Sequence, residues 1–287
     1  MHYIPECYLR NFSYINDRSN NVDSIRKNGE IKSLSINDVC VSKNLYKLNV
    51  TDPQYDSLYL EKFFNDFFEN NYKNIYQKLI NGRATSITDK ERVELIGWCT
   101  HLFYRNNSHY QELSQRYLEP IENLELSMRQ INDKDLYEEF MKSYQISKKE
   151  IKRLTKLLFH NTLLSSSCAL LINLINYDII IAETKSESGF LTSDNPVNIR
   201  LEVSANNNLK TYYLQVPLDE KHLLFLSPSK NNKCYNEIQW IIADEISVGA
   251  ANLNCHLNSK EYLIGKKYNI EKYFEFYEEF QYAQSMI

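Results

Sequence analysis

Glycine is scarce in this 287-residue chain: there are six, Gly29, Gly82, Gly97, Gly189, Gly249 and Gly265, and no two stand close together. A phosphate cradle or dinucleotide fingerprint needs clustered glycines so that backbone can approach the ligand, and none can be written here. P-loop NTPases, Rossmann cofactor folds and the GxSxG hydrolase elbow are thereby excluded. The six cysteines form no CxxC pair or regular spacing, which predicts reduced thiols in a cytoplasmic protein rather than a disulfide framework or structural zinc. There is no HExxH, no HxH and no HxE with a downstream PCxxC, so no metal site is predicted, and the sequence names no cofactor. A net charge of −4 gives no overall basic footprint for nucleic acid. The most apolar stretch, Cys168 to Ala182, is interrupted by Asn173, Asn176 and Asp178 and is too short to span a bilayer. It reads as buried core, with no membrane partner, and the first residues carry no signal-peptide pattern.

What is abundant is tyrosine, at 22 residues, and asparagine, at 32, a surplus that an AT-rich genome can produce. Residues 1–54 read as a short helical motif followed by a β-hairpin, whose Asn28-Gly29 pair suits the two positive φ values of a tight turn. Residues 55–176 read as helical. Leu58, Phe63, Phe64, Phe67, Phe68, Tyr72, Ile75, Tyr76 and Leu79 recur at three- and four-residue steps, one long amphipathic helix. Thr88-Asp-Lys-Glu91 is a capping box opening a second helix, and Ser147-Lys-Lys-Glu150 predicts the start of another. Residues 177–287 turn to short β-branched and aromatic runs separated by turns such as Ser193-Asp-Asn-Pro196 and Ala205–Asn208, with two further helices. The expectation is an α+β fold: a helical N-terminal half with a small hairpin, a mostly antiparallel or mixed sheet in the C-terminal half, and one integrated domain.

Polar chemistry concentrates in a few places. His2-Tyr-Ile-Pro5-Glu-Cys-Tyr8-Leu-Arg10 packs a histidine, tyrosine and arginine around a proline. Glu94, Trp98, His101 and Arg105 share a helix face, where Glu94 and His101 can satisfy each other and Arg105 offers a planar fork to an anion. Phe190-Leu-Thr-Ser193-Asp194-Asn195-Pro196 presents a hydroxyl, a carboxylate and an amide at a strand end, although such residues also build turns. Lys148, Lys149, Lys152, Arg153 and Lys156 could follow a nucleic-acid backbone or form a solvated helix face. Glu61 and Glu69 lie about 12 Å apart along a helix, too far to share a cation without other ligands.

Three of these segments resemble, in order, the bacterial family catalogued as domain of unknown function 4238. His2, Pro5, Tyr8, Leu9 and Phe12 match its HxxPxxYLxxF opening, with Arg10 at a commonly basic position. Leu60-Glu61, Glu69 and Arg105 resemble its helical segments. Thr192 to Val197 matches its TSDNPV strand-turn, Pro217-Leu218 a strand entry, and Leu253-Asn254 its closing asparagine. Asn106-Asn107 stands where the family usually has a proline pair, and Glu6 where it has an amide. The resemblance implies that His2, Tyr8, Arg10, Arg105, Ser193, Asp194 and Asn195 converge in one cleft. The expected function is hydrolysis of a phosphate ester, in nucleic acid or nucleotide, as in phage defence or a toxin-like system. Arg10 and Arg105, with Tyr8 and Ser193, would bind substrate; His2 would move the proton, and Asp194 with Asn195 would orient His2 or the attacking water. The alternatives are a non-catalytic module sensing an anionic small molecule in the same cleft, and a structural polar network that pins the N-terminus to the sheet.

Overall fold

In the computed structural model, residues 2–16, 19–26, 29–47, 56–129, 134–203, 209–229 and 235–285 are described. Pro5 sits just before a single helical turn, α1 (Glu6–Leu9), continued by a 3-10 turn at Arg10–Phe12. Strands β1 (Tyr14–Asn16), β2 (Ser19–Arg26) and β3 (Ile31–Ser35) follow. The β2–β3 hairpin forms with Ile25 opposite Ile31, but Gly29 has no positive φ. Its N–H donates to the Arg26 carbonyl at 2.9 Å instead, and Asn28 lies outside the described residues, as does the Ala205–Asn208 turn.

The amphipathic run from Tyr59 to Asn81 is one helical path in four pieces: α2 (Tyr59–Phe64), a π turn at Asn65–Glu69, α3 (Asn70–Tyr76) and a second π turn at Gln77–Asn81. The capping box forms as read, with Thr88 and Glu91 bonded reciprocally at the start of α4 (Asp89–Tyr104). Gly97 gives α4 a flat spot: a Cβ there would meet Leu171 at 3.1 Å and Phe68 at 3.2 Å. The Asn106 side chain caps α5 (Asn107–Met128). Helix α6 (Lys134–Leu174) passes through Ser147-Lys-Lys-Glu150 without a break, so the second capping box is a helix interior. Packing of α6 against α4 and α5 keeps that segment helical, and a cap pattern matters only where backbone amides lack partners. The Cys168–Ala182 stretch is split between the end of α6 and β4, and it is only partly buried. By length and composition α6 could cross a membrane, with one third of its most apolar segment buried inside the protein.

The C-terminal half contributes β4 (Asp178–Thr184), β5 (Thr192–Ser193), β6 (Asn198–Val203), β7 (Leu209–Pro217), β8 (His222–Ser227), β9 (Ile238–Ala243), α7 (Glu245–Asn258), β10 (Tyr262–Gly265) and α8 (Lys267–Ser285). One sheet runs β6-β7-β8-β4-β9, antiparallel except for the parallel β4–β9 pair. The other sheet joins both ends of the chain. Strand β2 takes β3 on one edge and β1 with β10 on the other, and β10 in turn pairs with β5. This is the α+β arrangement that the patterning implies. Its largest core runs from Tyr8 and Leu9 through Phe64, Tyr72, Trp98 and Phe159 to Ile179 and Leu224, tying the helices to the β6-β7-β8-β4-β9 sheet.

Two histidines are enclosed in that helical layer. His101 does not meet Glu94, which pairs with Lys90 at 3.7 Å; its ring stacks on Phe68 at 4.6 Å and touches Phe64 at 4.0 Å, leaving Nε2 buried without a partner. Burial holds His101 well below the ordinary imidazole range and lowers His160 to about 4. The unfolded chain, titrating near 6.5, therefore binds more protons than the folded one between about 4 and 6.5. Stability should be complete above pH 6.5 and decline as pH falls, by up to about 1.4 kcal/mol per pH unit for each histidine. Urea midpoints at pH 7 and pH 5 measure this; His160→Leu should flatten the slope, and an unchanged slope would contradict the assignment.

Candidate functional site

The family-like segments do meet, but most of their side chains are turned to protein partners. Tyr8 is fully buried. Its hydroxyl donates to the Pro217 carbonyl at 2.8 Å and lies 2.6 Å from Thr192 Oγ1, so one side chain ties α1 to β5 and to the end of β7. Burial pushes its phenol far above the usual range, which fits a hydrogen-bonding anchor. His2 Nε2 is 2.8 Å from the Ile36 carbonyl, and the His2 backbone carbonyl accepts from Arg105 at 2.9 Å.

Arg105, at the end of α4, is closed in on every side. It pairs with Glu69 through one guanidinium nitrogen, donates to the Tyr46 hydroxyl at 3.3 Å and lies over the Tyr46 and Phe64 rings. Tyr46 returns a hydrogen bond to the Arg105 carbonyl at 2.6 Å. Burial works against the charge, but Tyr46 and Glu69 outweigh it, so the guanidinium keeps its proton more tightly than usual.

The TSDNPV turn is equally occupied. Ser193 Oγ accepts from the Asn195 amide at 3.1 Å and meets the Cys255 thiol. Asp194 takes the backbone N–H groups of Lys260 at 2.9 Å and Glu261 at 2.7 Å, fixing the link between α7 and β10. Burial raises its carboxyl, and the backbone donors partly oppose that. Asn195 accepts from Asn106 at 2.8 Å and donates to the Asn258 carbonyl at 3.2 Å. Asn106, the departure from the family's proline pair, thus caps α5 and also holds the strand-turn.

The expected pairing of Asp194 with His2 is absent, because the two bond to different partners; Asp194 borders a small cavity of about 210 Å³ with Tyr3, Gln111 and Lys260. Of the seven residues, Arg10 lines a larger, open groove. That groove, about 420 Å³, runs between α1 and the Tyr59–Asn81 helix. Both π turns face it: Asn65 and Glu69 line it from the first, Gln77 and Asn81 from the second. Arg10, held by Glu6 at 2.7 Å on the surface, and Lys73 supply positive charge, while Asn11, Asn70, Tyr72 and Tyr76 supply amides and rings. The negative charge of Glu69 is already matched by Arg105 behind it. Burial, with Glu69 nearby, pushes the Cys7 thiol up to about 12, so it stays protonated at neutral pH and is no ready nucleophile. Among the described residues no set of three His, Cys, Asp or Glu side chains could hold a metal ion.

Two arrangements give little sign of themselves in the sequence. Tyr76 donates to Asp219 at 2.7 Å, and Asp219 holds His222 Nδ1 at 2.9 Å through both oxygens; the Asp-x-x-His spacing just after Pro217-Leu218 is its only signal. Arg92 is buried against three carbonyls, those of Ile175, Tyr177 and Tyr235, and nothing in α4 marks it as different from a solvated arginine. The basic run at the centre of α6 is mostly engaged within the chain: Lys148 with Glu122 at 3.0 Å, Arg153 with Glu150 at 3.0 Å, and Lys156 with the Asn44 carbonyl at 2.6 Å.

No curated protein and no solved structure matches this sequence. Residues 1–269, which include both the Tyr8–Thr192–Pro217 anchor and the groove, match the family described as Protein of unknown function (DUF4238), and the chain belongs to that family.

Proposed function

We propose that this protein binds a phosphate-bearing, nucleotide-like small molecule in the groove between α1 and the Tyr59–Asn81 helix, and that it acts as a sensing module. The observation that carries the reading is the pair of π turns opening into one groove. Such turns are rare, depart from regular α-helical hydrogen bonding, and are frequent at functional sites. Arg10 and Lys73 suit phosphate oxygens, the first by its planar fork and the second as a point charge. The amides of Asn65, Asn70, Gln77 and Asn81 suit the mixed donors and acceptors of a base or sugar. With few glycines in the chain, side chains rather than a backbone cradle must grip the phosphate.

Titration of the purified protein with nucleoside mono-, di- and triphosphates and with pyrophosphate tests this. A ligand at a hundred times its Kd should add about 2.7 kcal/mol of stability and raise Tm. Arg10→Ala, on an exposed side chain, should weaken that ligand roughly tenfold or more, the worth of a charge-assisted hydrogen bond, without changing the Tm of the free protein. No Tm shift with any of these ligands, or equal affinity in Arg10→Ala, would count against the groove. A hydrolase reading stands second, favoured by the Asp219–His222 pair; turnover of the nucleotide, abolished in His222→Ala, would select it.

A further inference from the structure

We infer that α6 is a self-association helix, pairing antiparallel with α6 of a second copy of this chain through the face it turns away from α4 and α5. Leu154, Leu158, Asn161, Ser165, Cys168 and Ile172 follow one another at alternating steps of four and three, the 3.5-residue repeat of a coiled-coil seam. All six are exposed, including Leu154 at 47%, Leu158 at 43% and Ile172 at 69%. The opposite face, with Phe159, Leu163, Leu170 and Leu174, is buried in the protein, so no described element covers the seam.

The order of residues along the seam points to a second copy. In an antiparallel pair centred between Asn161 and Ser165, Leu154 meets the partner's Ile172, Leu158 meets the partner's Cys168, and Asn161 meets the partner's Ser165. Apolar faces apolar and amide faces hydroxyl, the self-complementarity that a two-fold interface requires. Small residues at the centre let the helices approach, and a polar pair there fixes register, as a buried asparagine does in coiled coils. The seam carries no charge, so two copies bring no like charges together. Paired over about 28 Å of helix, it buries on the order of 1,000 Å², the low end for specific interfaces. A lipid bilayer fits less well: Asn161 and Ser165 would enter the acyl chains, and Lys149 and Lys152 lie round the helix from the seam, where they would not reach anionic headgroups.

Sedimentation equilibrium of the full chain should give a dimer, and Ile172→Asp and Leu158→Asp should each raise the dimer dissociation constant at least a hundredfold with the helical circular dichroism unchanged. Under diamide, Leu158→Cys should form a disulfide with the partner's Cys168 that disappears when Cys168→Ser is added. The wild type should form no Cys168-dependent crosslink. A monomeric wild type, a dimer that survives Ile172→Asp, a wild-type crosslink lost in Cys168→Ser, or a monomer that floats with anionic vesicles would each overturn the inference.

Discussion

Arg105→Met should lower stability by about 3–5 kcal/mol, the cost of removing one member of a buried ion pair and leaving the other uncompensated. Glu69 would lose its counter-charge, and the His2 carbonyl and Tyr46 hydroxyl would lose a donor. The cost comes from breaking the pair rather than from any net gain in making it. Adding Glu69→Leu to Arg105→Met should therefore recover part of the loss, with a coupling energy of roughly 1–3 kcal/mol. Urea unfolding of the two single variants and the double variant measures this. A single-variant loss below about 1 kcal/mol, or strict additivity, would mean that Arg105 is not a structural anchor.

Asp194→Asn should destabilise by about 2–4 kcal/mol, although the side chain keeps its shape. Both carboxylate oxygens accept from backbone amides, and an asparagine must turn its NH₂ towards one of those donors, leaving two buried donors facing each other. The pH dependence carries a distinct sign. Because burial raises the Asp194 carboxyl in the folded state, the folded chain holds that proton more tightly than the unfolded chain, which titrates near 3.9. This group's contribution is most favourable below that value and declines as pH rises through the folded pKa. Subtracting the stability profile of Asp194→Asn from that of the wild type should isolate the decline; a difference that grows with pH over that window would contradict it.

Much of the architecture is readable from residue type. The Thr88–Glu91 capping box and the change from three- and four-residue periodicity to short β-branched runs after Tyr177 have local physical causes, and the structure follows them. The β2–β3 hairpin forms as expected, but without the positive φ at Gly29 that a tight Asn-Gly turn would take. What escapes notice has partners far away or without side chains. Asp194 is held by the backbone amides of Lys260 and Glu261, which leave no pattern in sequence. Arg92 takes carbonyls of Ile175, Tyr177 and Tyr235, which any residues at those positions would supply. Strand β9, Ile238–Ala243, carries a plain β-branched and aromatic signal that is easily absorbed into the approach to α7.

The π turns are hidden for a different reason. Each inserts a residue without disturbing the recurrence of Phe63, Phe64, Phe68, Tyr72, Ile75 and Leu79, so the apolar pattern still reads as one regular helix. The groove they open is therefore invisible in that pattern, although Arg10 and Glu69 stand out as polar residues on its walls. In the same way, the family-like residues draw attention as a constellation because they are few, polar and widely spaced. The hydrogen bonds of Tyr8, Arg105, Ser193, Asp194 and Asn195 give them a common physical task, holding α1, the end of α4, β5 and the α7–β10 link in register beside the groove.

Amide hydrogen exchange with and without a saturating nucleotide separates anchor from groove most directly. Binding in the groove predicts slowed exchange confined to residues 6–11 and 65–81, with the amides of Lys260 and Glu261 at Asp194 unchanged. Protection centred on Asp194 and residues 107–111, with residues 65–81 unaffected, would contradict that account and return the ligand to the family-like constellation.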